Sequence, residues 1–139
     1  MLEKEDLEQI KKAIETAEQN TSGEIRVHID ESCDKDAFER GVEIFHELNM
    51  HETQLRNGIL IYIDFTHRKF AIVGDKGIHE HVGEEFWIST KDLMLAQFKQ
   101  QNFLLGVVES VQIVGEKLSA YFPASDSNPD ELSNQVTVG

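Results

Sequence analysis

The chain has 139 residues and a formal net charge of -13, since 26 acidic side chains face 13 basic ones. That length suits one domain able to bury a core, and 40% hydrophobic with 28% charged residues is a globular rather than a disordered composition. A pI near 4.7 with no basic stripe repels phosphate backbones and anionic lipid heads, which excludes nucleic acid and membrane surfaces as partners.

The start, Met1-Leu2-Glu3-Lys4-Glu5-Asp6, lacks the basic-then-apolar order of a signal peptide, and no apolar run approaches the roughly 20 residues of a membrane helix. A cytoplasmic monomer without membrane insertion is expected. Leu7, Ile10, Ile14 and Ala17 recur at helical spacing until Thr21-Ser22-Gly23, which predicts a first helix. From Glu24 the period becomes two: Ile25, Val27 and Ile29 alternate with Glu24, Arg26, His28 and Asp30, so a strand with one buried face is expected. The acidic loop from Asp30 to Asp36 opens a second helix bearing Phe38, Val42, Phe45 and Leu48, with Asp34 expected as its cap and Asp36 in the first turn. Cys33 has no second cysteine to pair with, and its carboxylate neighbours disfavour the thiolate a nucleophile needs.

Gly58-Ile59-Leu60-Ile61-Tyr62-Ile63 is almost wholly apolar, as a central strand covered on both faces would be. Thr66-His67-Arg68 turns the chain into a third strand, Lys69 to Val73, and the pair reads as a hairpin. A helix is expected from Ile78 to Trp87, with Trp87 a core anchor beside Phe86, and another capped by Ser89 or Thr90. Asn102 is expected to cap the last helix, whose stripe Leu104, Val107, Val108, Val111, Val114 and Leu118 covers a sheet face, with Gly106 and Gly115 permitting close approach. A helix after the first strand and a hairpin thereafter imply a three-layer α/β/α sandwich around a small mixed β-sheet. One domain is assigned to residues 1–123 and a polar tail or surface strap to 124–139.

Several segments resemble successive landmarks of the TPM domain family: Ser22-Gly23-Glu24-Ile25-Arg26-Val27, Asn57-Gly58-Ile59-Leu60-Ile61-Tyr62, Arg68-Lys69-Phe70 and Gly74-Asp75-Lys76-Gly77-Ile78. With the stretch from Phe98 to Gly106, the resemblance covers roughly residues 3 to 123 and is nearest to the stand-alone soluble bacterial members. It implies an α/β/α fold and, as in some relatives, divalent-metal binding at acidic loops beside the sheet, usually of calcium. A thylakoid-lumen relative is associated with acid phosphatase activity. Many members carry an acidic residue where this chain has Arg56, and Gly-Leu-Glu where it has Gly77-Ile78-His79.

Two acidic groups are the candidate metal ligands: Asp30, Glu31, Asp34 and Asp36 after the first strand, and Asp75, Glu80 and Glu84, with Glu85, after the third. Several carboxylates on flexible loops suit Ca2+ better than Mg2+, which is the second choice. An EF-hand beginning at Asp30 would need Gly at Lys35 and Glu at Gly41, so any site must draw on several loops. If the first and third strands run parallel, the groups meet at one sheet edge; if the first parallels the second, they separate. Convergence is the expectation, since both segments follow strands and each carries more carboxylates than helix capping needs; it would itself favour metal, because crowded carboxylates repel one another unless a cation intervenes. The alternatives are helix capping and solvated acidic surface. Asp126-Ser127-Asn128-Pro129-Asp130-Glu131 mimics the start of a calcium loop, but Pro129 and the missing glycine favour disorder instead. His79 and His81 fall on different sides of a helix and read as surface residues.

A regulatory, non-catalytic calcium-binding module follows as the first reading. A metal-dependent phosphatase is the second, with Asp30 or Asp75 holding metal and Arg56 contacting phosphate. A protein-binding adaptor is the third, using the outer edge of the half-exposed first strand or the Val136-Thr137-Val138 tail to extend a sheet.

Overall fold

The computed structural model describes residues 2–124 and 136–138. Among these, helix α1 spans Lys4–Glu18, strand β1 Glu24–Asp30, α2 Ala37–Glu47, β2 Gly58–Asp64, β3 Lys69–Gly74, α3 Lys76–Lys99, α4 Phe103–Tyr121 and β4 Thr137–Val138, with a 3-10 turn over Met50–Glu52. The sheet order is β3-β2-β1-β4. β1 runs parallel to β2 and to β4, and β2 pairs antiparallel with β3.

Odd-numbered residues of β1 and β2 point to one face, where Ile25, Val27, Ile59, Ile61 and Ile63 meet Ile10 and Ile14 of α1 and Val107, Val111 and Val114 of α4. The stripe expected of the last helix therefore covers a sheet face. Gly115 lets the two helices approach: a Cβ there would lie 2.7 Å from that of Ala17. The opposite face is smaller, with Leu60, Tyr62 and Val73 packed under Ile44 and Phe45 of α2 and Met50. The α/β/α sandwich is thus present, with α1, α3 and α4 below the sheet and α2 above.

Four expectations change. β1 is not half-exposed: Glu24, Arg26, His28 and Asp30 are all buried, with β4 paired beside His28 and Ile29, and with His28 and Asp30 bonded to Thr137, Tyr62 and Arg40. Asp36 rather than Asp34 caps α2, accepting from the Glu39 N–H at 3.1 Å, since it immediately precedes the first helical residue. The break in α3 lies at Gly83, with φ 72°, and not at Ser89 or Thr90. Those two residues stay helical, and the Thr90 hydroxyl donates back to the Phe86 carbonyl at 2.9 Å. Asn102 stands at the N-cap position of α4, but its side chain makes no capping bond.

Candidate functional site at the carboxyl ends of the parallel strands

In β1 and β2 an apolar run closes on an aspartate, and the parallel register sets Asp30 opposite Asp64. Parallel strands deliver side chains to their carboxyl ends, where open α/β sheets place ligands. Both carboxylates are buried, and both are fully engaged. The Tyr62 hydroxyl donates to Asp30 Oδ2 at 2.7 Å, Arg40 Nε donates to the same oxygen at 3.1 Å, and His28 Nε2 lies 2.9 Å from Oδ1. Burial opposes the charge on Asp30, but these three partners outweigh it and hold the carboxyl below its ordinary pKa. Burial and the Asp30 bond together push the Tyr62 phenol pKa up, so it remains a donor.

Asp64 organises the loops. Its oxygens accept from the backbone N–H groups of His67 at 3.1 Å and Cys33 at 3.2 Å, and His67 Nδ1 lies at 2.8 Å. Burial again favours the neutral acid, and these contacts from His67 and Cys33 reverse the balance, so its pKa is lowered. One carboxylate thereby ties the loop after β1 to the hairpin turn after β2. The Thr66 N–H adds a bond to the Glu31 carbonyl at 2.9 Å.

Above this floor lies an open cleft of about 460 Å³ lined by Asp30, Glu31, Cys33, Asp34, Lys35 and Arg40. Glu31 and Asp34 are exposed, and their carboxylates make no hydrogen bond or ion pair among the described residues. Asp36 is used as the α2 cap. His28 continues the buried network outward, its Nδ1 lying 2.8 Å from Thr137 Oγ1 of β4. The tail segment expected to extend a sheet edge thus does so within its own chain.

The second acidic group is elsewhere. β3 runs antiparallel to β2, so its carboxyl end lies beside the start of β2, where the Asp75 N–H donates to the Gly58 carbonyl at 2.9 Å. Asp75 and Asp30 therefore occupy opposite ends of the sheet, and the expected convergence does not occur. Arg56, with φ 51°, grips Asp75 through Nε at 2.6 Å and Nη2 at 2.8 Å. That fork engages the guanidinium expected to contact phosphate. Glu80 and Glu84 are exposed on α3. No group of three or more His, Cys, Asp or Glu side chains among the described residues is arranged to hold a metal ion. The tail run Asp126 to Glu131 lies outside the described residues.

Asp64, the organiser of this end, was not among the expected residues, although its position after Ile63 repeats that of Asp30 after Ile29. His79 and His81 diverge as expected: Trp87 Nε1 donates to His79 Nδ1 at 2.9 Å, whereas His81 stacks on Tyr121.

A second concave surface borders β3, the free edge of the sheet. Ala71, Ile72, Val73 and Gly74 line a cavity of about 470 Å³ with Phe38 of α2 and Ile88 of α3. Successive strand residues point to opposite faces, so a space touching all four lies off the strand's edge. The bond from Asp75 to Gly58 sets the ladder parity: Leu60 and Val73 form a hydrogen-bonded pair, and Ile72 directs its N–H and C=O outward. Phe38 and Ile88 flank that edge, each 55% exposed.

The family model of the TPM domain matches residues 1–117. Among solved structures, the chain is similar to the BA42 protein of the psychrophilic bacterium Bizionia argentinensis, at 42% identity and a TM-score of 0.91, over 100% of this chain and 96% of that one. The N-terminal domain of a protein from P. gingivalis matches at 17% identity and a TM-score of 0.71, over 87% of this chain and 78% of that one. The N-terminal domain of cg2496 from Corynebacterium glutamicum matches at 13% identity and a TM-score of 0.67, over 94% and 82%. These last two show the fold alone. No curated protein matches the chain. No helix among the described residues is long and apolar enough to cross a membrane.

Proposed function

We propose that this chain, which belongs to the TPM domain family, binds a divalent cation in the cleft at the carboxyl ends of β1 and β2, with calcium preferred over magnesium. The observation that carries the reading is the pair of exposed carboxylates, Glu31 and Asp34, that have no partner among the described residues, on a loop tied down through Asp64 and Thr66. Calcium takes six to eight oxygens in flexible geometry, and loop carbonyls and water supplement such side chains. Asp30 joins them only if Arg40 leaves its Oδ2, so Arg40 is a built-in competitor for the ion. Asp75, Glu80 and Glu84 form no part of this site. The role is read as regulatory rather than catalytic, because the one thiol lining the cleft, Cys33, sits among carboxylates that disfavour its thiolate.

Calcium titration by calorimetry and amide NMR tests the proposal. Shifts confined to residues 30–36 and 64–68, and lost in Asp34→Asn, are expected. Spectra that stay flat through millimolar calcium would reject it.

A second reading, as a protein-binding adaptor, is favoured by the edge of β3. An extended peptide added there would meet the outward rung of Ile72 and seat apolar side chains between Phe38 and Ile88. The net charge of -13 favours basic residues in that peptide, while on the rim itself Glu84 is matched by Lys91. A synthetic peptide of alternating valine and lysine should perturb Ile72, Phe38 and Ile88 in the native chain. Equal binding to a Phe38→Ser, Ile88→Ser variant would count against the edge.

A further inference from the structure

We infer that His46 and His51 form a surface site for a borderline divalent transition-metal ion, zinc or copper(II), separate from the hard-cation cleft. The site arises from a tight reversal at the end of α2. Asn49 adopts the left-handed conformation, φ 59° and ψ 29°, and its N–H donates to the His46 carbonyl at 3.0 Å. The Asn49 carbonyl then accepts from the Glu52 N–H at 3.1 Å, closing the 3-10 turn. Met50 is fully buried and anchors that turn, so its neighbour His51 is set back against the last turn of α2.

The two imidazoles face each other through like atoms. His46 Nδ1 and His51 Nδ1 lie 3.2 Å apart, with ring centroids 4.7 Å apart and planes inclined by 61°. Without metal, one Nδ1 must carry a proton and the other a lone pair. The Glu52 carboxylate lies 4.0 Å from His51 Nε2, beyond hydrogen-bond reach, and leaves that nitrogen free to take a proton. The edge of the His46 ring contact is fixed in turn by Phe45, at 5.9 Å between centroids.

The separation fits a shared ion. With metal–nitrogen bonds of about 2.0–2.1 Å, two nitrogens 3.2 Å apart subtend about 100° at the metal, between square-planar and tetrahedral values. Binding requires that the ring whose Nδ1 carries the proton pass it to its own Nε2 through solvent, so no net proton is released. Both nitrogens then have lone pairs to donate, and rotation of the two surface side chains turns them toward one ion. His46 is exposed and His51 is partly so, and the remaining coordination positions open to water or to an external donor. Imidazole pairs suit zinc and copper(II), whereas calcium requires oxygen, so the ion chemistry differs from that of the cleft.

The test uses the full chain without a histidine tag, titrated with zinc chloride by calorimetry and followed by imidazole NMR. His46→Ala and His51→Ala should each weaken zinc binding at least tenfold, and the double variant should lose no more than either single one, because one imidazole alone does not chelate. His81→Ala and His79→Ala should bind as the native chain does, and excess calcium should not displace zinc. Copper(II) should give a visible band that disappears in the same two variants. Both substitutions are at the surface, and amide spectra matching the native fold confirm that loss of binding is local. Unchanged zinc affinity in His46→Ala or His51→Ala, an equal loss in His81→Ala, or displacement of zinc by calcium would each overturn the assignment.

Discussion

Tyr62→Phe isolates the buried bond that holds Asp30, because it removes one hydroxyl and leaves the ring in the core. The ring is fully buried, and its oxygen donates at 2.7 Å to a charged carboxylate. Hydrogen bonds to charged groups contribute roughly 1.5–3 kcal/mol. Asp30 retains His28 and Arg40, so a loss of about 2 kcal/mol at neutral pH is expected. For a chain of this length that corresponds to about 6–8 °C in Tm. The pH dependence follows from two opposite shifts. The Asp30 pKa is lowered in the folded state, so its contribution is present above about pH 4 and is lost as pH falls through the folded value. The Tyr62 pKa is raised, so its contribution is intact below about pH 10 and declines as pH rises beyond that. The difference between native and variant chains should therefore be largest from about pH 5 to 9 and should narrow at both extremes. Urea unfolding across pH measures it. A deficit below about 0.5 kcal/mol at pH 7, or one that is constant with pH, would refute the view that Tyr62 stabilises an ionised Asp30.

Three other outcomes are expected. Gly115→Ala should destabilise by about 1–2 kcal/mol despite the gain in helix propensity, since its Cβ would meet that of Ala17 at 2.7 Å, and Ala17→Gly should restore much of the loss in a double-variant cycle. Thr137→Val should cost about 1 kcal/mol and speed amide exchange in β4, because it removes the partner of His28 Nδ1; unchanged exchange would show that β4 is held by its backbone alone. Arg40→Gln should tighten calcium binding several-fold by freeing Asp30 Oδ2, and weaker binding in that variant would exclude Asp30 as a ligand.

Periodicity made the layers legible but not the strand pairing. The run Gly58 to Ile63 is apolar at every position after the glycine, and such a strand has to be covered on both faces, as β2 is. In β1 the alternation of Ile25, Val27 and Ile29 with polar residues reads equally well as a wet face. Only the tertiary partners distinguish the two cases: Arg26 is buried with Glu18 and Glu24 nearby, and His28 and Asp30 bond across strands. Whether β1 parallels β2 or β3 has no local signature, because a helical crossover is compatible with either neighbour. The bend in α3 carried a local signal, Gly83, that competed with two apparent caps at Ser89 and Thr90. The left-handed Asn49 that brings His51 back to His46 was likewise a single residue in an otherwise polar connection.

Strand pairing also changes what the negative charge implies. Carboxylates crowded at one edge would repel one another and invite a metal, but the antiparallel return of β3 sends Asp75 to the far end of the sheet. Two of the buried aspartates then carry a counter-charge from the chain, Arg40 for Asp30 and the bidentate Arg56 for Asp75, while Asp64 is held by the N–H groups of Cys33 and His67 and by the His67 ring. A guanidinium beside a carboxylate does locally what a bound cation would do, and it requires no ligand to complete the fold. Buried acidity alone is therefore no argument for metal in this protein. What favours an ion is the pair of carboxylates that arginine does not reach, Glu31 and Asp34, which are exposed above a floor whose own carboxylates already have hydrogen-bond donors. An ion there has to be held by the loop itself, with modest affinity unless Arg40 yields Asp30, so calcium occupancy and the Arg40–Asp30 ion pair are alternatives at one carboxylate.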